Sequence, residues 1–377
     1  MLGYPATDAI PLSAPVGLFK LLHILLLALH FVAVQAMVGG LFLVAAWHVR
    51  GRGGHNPAAT AAARWVARTL PVLMTYLMNL GVPPLLFAQA LYGHLLYTSS
   101  VLIGAHWISV VVLLTVMYWL LYVVSDRAAS GRTLWAGALV SLFIAMWVAR
   151  IYSTNMSLML RPELWPGLYS ADPHGATIPV GDPLITARWL FMLAGALTTA
   201  GLALLVMAGG RRQDAALRAL LLRDGGALAT VGAAAQLGLA QRVVAHVAPA
   251  VRAALAESAP YHAAGVAWLV LAGLVAALGL TSAVSARRLA ATPHRPLAWG
   301  AGLLAVLASV AMTAWRDGLR DLTLAAKGFD VWQHTAVVVN PGLVATFLAL
   351  VVGGLALVGW MIAVAVKADP VEEAIAP

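Results

Sequence analysis

The chain has 377 residues, 62% of them hydrophobic and only 10% charged, with a mean hydropathy of +0.89. Soluble domains run nearer roughly 45–50% and 25%, so most of this chain must face lipid or its own helices. The absence of cysteine excludes disulfides, thiolate metal ligands, iron–sulfur clusters and a CxxCH attachment site. A net charge of +9 would suit nucleic acid, but the basic residues sit in short loops between apolar runs, where they act as a topology signal; no nucleic-acid partner is expected.

Nine apolar runs follow one another, at approximately 16–48, 71–96, 101–124, 134–157, 185–208, 226–246, 263–285, 297–316 and 341–366. Each is near the ~20 residues a helix needs to cross the bilayer core. The expected fold is all-α, a polytopic membrane protein whose residues 1–377 form a single membrane domain in the lipid bilayer. No soluble domain, internal repeat or long linker is evident. The N-terminus lacks a basic stretch and the first run is long enough to span, so no cleaved leader is expected. Loops after odd-numbered runs, with the C-terminal tail, carry fourteen Lys and Arg, whereas the opposite side carries four, Arg161, Arg252, Arg320 and Lys327, with Lys20 and Arg316 at its boundary. The positive-inside rule therefore puts the N-terminus outside and the C-terminus in the cytoplasm. The segment 209–226 is basic and amphipathic, and is expected to lie on the cytoplasmic surface.

Taken in order, the first run carries His23 and His30 in a stretch otherwise fit for lipid. Seven residues apart, they share a helix face about 10 Å apart along the axis. An imidazole at membrane depth is costly, which marks that face as a candidate site. In the second run Pro83 and Pro84 are expected to bend the helix. Beyond them Gln89, Tyr92, Gly93, His94 and Tyr97 form a polar run suited to lining a cavity. The third run contributes His106, and the eighth ends in Arg316, Asp317, Arg320 and Asp321. With the N-terminus outside, His23, His106 and the cluster Arg316, Asp317, Arg320 and Asp321 fall in the outer half, and His30 lies nearer the middle. Each has a plainer role to set beside it. A membrane histidine also serves as interhelical glue, and the 316–321 cluster as an ion-pair network capping its helix.

Several of these segments resemble the large subunit of cytochrome bd quinol oxidases. HFVAVQAMVGGLFLVAA, from His30, is similar to the family's first helix, in which a His-Phe pair opens the same small-residue spacing and the His binds haem. NLGVPPLLFAQALYGHLLYTSSVLIG (Asn79–Gly104) fits the second helix without a gap, and AMWVARIYSTNM (Ala145–Met156) looks like the fourth. WRDGLRD (Trp315–Asp321) stands where the family has a Glu-x-x-Arg pair beside its haems, with Asp317 and Arg320 in those two places.

The departures from the family bear most on function. Phe191 stands where the family has the His that ligates its quinol-oxidising low-spin haem, and the opposing Met would fall near Trp268, in a run without Met. The outer loop that forms the quinol site is cut to residues 247–262. Of two glutamates in the third helix, one falls on His106 and the other, on the proton path, on Leu114. The resemblance thus implies haem b, one group or two, and no quinol-oxidising low-spin haem. His30 and His106 are candidate ligands of one iron, which would then be six-coordinate; His30 alone would leave an open position. Asp317 is a candidate carboxylate ligand of a second haem, with Arg320 on a propionate, and His23 and His94 are further candidate ligands. The function implied is a haem-binding electron-transfer subunit in the bacterial inner membrane. Its partners would be other membrane subunits and a periplasmic c-type cytochrome on the outer face. The alternatives are a cytochrome c-fed oxygen reductase and a haem-free scaffold of a respiratory complex.

Overall fold

Long apolar runs with few charges leave the backbone one way to satisfy its amides in lipid, the α-helix. The computed structural model, which describes residues 11–132, 135–210, 214–334 and 336–368, follows that rule. Among the described residues nine helices are long and apolar enough to cross a membrane. They are α1 (Val16–Gly51), α2 (Pro57–Val101), α3 (Gly104–Ala129), α4 (Trp135–Leu158), α5 (Pro183–Ala208), α6 (Ala215–Ala245), α7 (Ala259–Val284), α8 (Arg295–Ala325) and α9 (Pro341–Ala368). The chain is an all-α, multi-pass membrane protein. Strand pairing among the described residues is limited to one bridge, Leu12 to Val337, which ties the N-terminal segment to the α8–α9 connection.

Three boundaries differ from expectation. α2 begins at Pro57, where Asn56 caps it by accepting from the Ala59 N–H at 3.0 Å, and Pro71 lies inside it. Its one non-helical residue is Tyr92 (φ −135°, ψ 24°), beyond the Pro83–Pro84 pair expected to bend it. The segment 209–226 is not a surface helix, because from Ala215 it is the opening of α6. The reason is Arg218, which is buried and donates to the Ala208 and Ala290 carbonyls at 3.2 and 2.9 Å. One guanidinium satisfies acceptors at two helix ends and draws the segment inward.

α5 is the most buried span, packed against α1, α4, α6 and α8. Membrane helices gain little from apolar burial against each other and rely on close approach of small residues. Gly39 of α1 lies so near α5 that a Cβ there would stand 2.3 Å from that of Ala200, and Gly226 of α6 meets the Gly279 carbonyl of α7 in the same way. The even-numbered loops, α1's start and α8's end share one face of the bundle, and every candidate site residue but His30 lies toward it.

Candidate haem pocket

A cavity of about 800 Å³ lies between α1, α2, α3, α4, α5, α6 and α8. That volume lies within the range of small-molecule and cofactor sites, roughly 300–1,000 Å³. His23 and His30 both line it, so the seven-residue spacing placed them on one wall. Seven of the chain's twelve methionines line it too, giving walls that reshape readily around a flat ligand. The sequence reading missed this, since the methionines come from six helices.

The two histidines differ in what their rings have left to offer. His30 Nδ1 is 3.1 Å from the Leu77 carbonyl, an acceptor only, so Nδ1 carries the proton and Nε2 keeps its lone pair. Gly81 makes room for the ring: a Cβ there would lie 2.7 Å from His30 Cε1. His23 is engaged at both nitrogens, donating from Nδ1 to the Pro84 carbonyl at 3.0 Å and accepting at Nε2 from Arg320 Nη1 at 3.2 Å. Of this pair, only His30 has a ring nitrogen to give to a metal.

The remaining candidates stand elsewhere. His106, in the first turn of α3, does not line the cavity; its Nε2 bonds the Ala176 carbonyl at 2.7 Å and its ring meets Trp147 edge-on. The cavity is reached on α3 by Leu114 and Met117, two to three turns farther along. His94 packs edge-on against Phe329, 5.1 Å between centroids, also off the cavity. The polar run around it lines no cavity either. Gln89 and Tyr97 face outward, and Tyr92 is fully buried, directed into a cluster of charges.

That cluster contains Asp317 and Arg320, with a partner the sequence did not announce. Asp317, Arg320 and Asp321 share one face of α8 by their i, i+3, i+4 spacing, and Lys20 of α1 reaches into it. Lys20 Nζ lies 2.5 Å from Asp317 Oδ2 and 2.6 Å from Asp321 Oδ2, and donates to the Tyr92 hydroxyl at 2.7 Å. Tyr92 and Tyr261 donate to Asp321 at 2.6 and 2.8 Å, and Arg320 donates to Asp317 Oδ1 at 3.1 Å. All four charged residues are at most 7% exposed. Both oxygens of Asp317 face cations, so the carboxylate read as a ligand for a second haem is held in an ion-pair network. Arg320, read as a propionate partner, is occupied by Asp317 and His23.

The two positions that the sequence resemblance matches to the family's low-spin haem ligands lie side by side. Phe191 and Trp268 touch, 5.6 Å between centroids, and Trp315 stacks on Trp268 at 5.9 Å and 8°. Aromatic rings occupy the space between them.

No family model matches this chain, and no curated protein matches it. A solved structure does: the bd oxidase from Geobacillus thermodenitrificans, at a TM-score of 0.66 over 96% of this chain and 100% of that one, with 13% identity. This is the bd oxidase fold. Within that fold the donor set fits one haem: a histidine with a lone pair, an apolar cavity of suitable size and cationic groups at its rim. Among the described residues no group of three or more His, Cys, Asp or Glu comes together to hold a bare metal ion. Gly81→Ala should therefore weaken haem binding several-fold by pushing the His30 ring from its seat. A haem titration of the ligand-free protein checks this; an unchanged affinity would remove Gly81 from the pocket.

Proposed function

We propose that this chain is a haem-binding membrane subunit of a respiratory electron-transfer complex in the bacterial inner membrane. It holds one b-type haem on His30. The observation that carries the reading is His30 itself, an imidazole fixed through Nδ1, with Nε2 unspent, on the wall of an apolar cavity in a bd oxidase fold. A haem there supplies a one-electron couple. The chain's own groups set its conditions: the Leu77 carbonyl fixes the tautomer and raises the basicity of Nε2, Gly81 admits the ring, and the apolar walls keep water out. The test is a reduced-minus-oxidised spectrum of the purified protein with its haem content, and a protein without haem would turn the reading to a scaffold subunit.

Electrons on this reading come from a c-type cytochrome or partner subunit at the outer face, a source supported by the aromatic contact of Phe191 with Trp268, the two positions that the resemblance matches to the family's quinol-side haem ligands. Isolated protein should show no ubiquinol or menaquinol oxidation sensitive to quinol-site inhibitors. Phe191→His alone should not create it, because Trp268 opposes the new ring. The outer face is the one bearing Asp172 by the charge asymmetry of the loops. A reporter inserted at Asp172 should be periplasmic and one fused after Lys367 cytoplasmic; the reverse would move the donor's docking face to the other end.

A second reading, a cytochrome c-fed oxygen reductase, is favoured by the place of His106. With that imidazole bonded to Ala176 and outside the cavity, His106 would not be the second ligand of a haem held by His30. A carbon monoxide-sensitive high-spin signal would select it over pure electron transfer.

A further inference from the structure

Charges around the cavity cancel with one exception. Lys20 and Arg320 balance Asp317 and Asp321, Lys327 pairs with Glu163 at 2.8 Å, and Arg161 pairs with Asp182. Arg188 of α5 and Arg316 of α8 remain. Both line the cavity, and among the described residues neither is within ion-pair distance of a carboxylate. Arg188 Nη1 donates only to neutral oxygens, Ser157 Oγ at 3.0 Å and the Met156 carbonyl at 3.4 Å. Arg316 lies over the Phe31 ring, 5.5 Å from its centroid. The two are within coulombic range of each other and of Arg320, and Arg316 also of Asp317, whose carboxylate is already bound by Lys20 and Arg320.

Two like charges beside an apolar cavity at membrane depth are costly unless something of opposite sign meets them. A guanidinium presents a planar fork that matches carboxylate and phosphate oxygens. We infer that Arg188 and Arg316 form the head end of the cavity and bind the two negative charges of an amphiphilic ligand whose apolar body fills the methionine-lined part. Two sources share this chemistry, a porphyrin with two carboxylate side arms and an anionic lipid whose head carries two phosphates. The porphyrin case deepens the haem reading by moving the propionate partners from Arg320 to Arg188 and Arg316; the lipid case stands without it.

The full chain is purified in neutral detergent as wild type, Arg188→Gln, Arg316→Gln, the double Gln variant and the double Lys variant, and haem and phosphorus are counted per chain. Each lost charge-assisted contact should weaken the bound ligand roughly tenfold. Loss of haem from the double Gln variant with phosphorus unchanged supports the inference and names the porphyrin; loss of phosphorus with haem unchanged supports it and names the lipid. In either case the double Lys variant should retain part of the binding. Unchanged haem and phosphorus in the double Gln variant, or a wild type that holds neither, overturns it. Thermal unfolding of the single variants decides should the double variants fail to fold. Arg316→Gln should stabilise the stripped protein, by removing an uncompensated cation, and destabilise the loaded one. The same sign in both states overturns the inference.

Discussion

His30→Ala is expected to empty the pocket, leaving haem below about a tenth of the wild-type content and no haem bands in the reduced-minus-oxidised spectrum. Of the two histidines of α1 on the cavity wall it is the one with a free ring nitrogen, because Arg320 and Pro84 engage both nitrogens of His23. A ligand that binds only the native state adds its binding free energy to stability, about 2.7 kcal/mol at a hundredfold excess over Kd. The variant should therefore also melt earlier than loaded wild type and at the same temperature as stripped wild type. His106→Ala, by contrast, removes only a bond to the Ala176 carbonyl and should leave haem content and spectrum alone. Full haem content and an unaltered spectrum in His30→Ala would move the iron to another ligand. A spectrum altered by His106→Ala would bring back the paired-imidazole arrangement.

The sequence carried what is local. Apolar runs locate nine spans, the seven-residue spacing puts His23 and His30 on one wall, and the i, i+3, i+4 spacing puts Asp317, Arg320 and Asp321 on one face. It could not carry what depends on partners far away in the chain. Tyr92 and Asp321, 229 residues apart, meet at the point where α2 loses helical geometry. Lys20 reads as a boundary cation in sequence, yet it is 4% exposed and bridges two aspartates. The structure does not bring His106 to the cavity that His30 lines: His106 sits in the first turn of α3 with its ring on the Ala176 carbonyl, while Leu114 and Met117 meet the cavity. Segment 209–226 failed because periodicity counts Arg218 as a surface charge, although two free carbonyls are waiting for it inside.

Lys20→Met should produce the largest loss of stability of any single substitution around the pocket. In wild type the cluster holds two cations and two anions at no more than 7% exposure, with both tyrosines donating to Asp321. Methionine matches the side chain's length and removes the charge, leaving Asp317 and Asp321 to share Arg320. Breaking a buried pair by deleting one partner costs about 3–5 kcal/mol, most of it the stranded charge rather than the lost contact. The separation of those two terms is measurable. Lys20→Met combined with Asp321→Asn restores neutrality and should recover most of the loss in thermal unfolding, whereas Lys20→Met combined with a substitution far from the cluster should simply add. Tyr92→Phe, which removes two hydrogen bonds but no charge, should fall between, at about 1–3 kcal/mol. If Lys20→Met stays within about 1 kcal/mol of wild type, the four charges are not mutually held in the membrane. Asp317 would then be free to leave Lys20 and serve as a ligand after all.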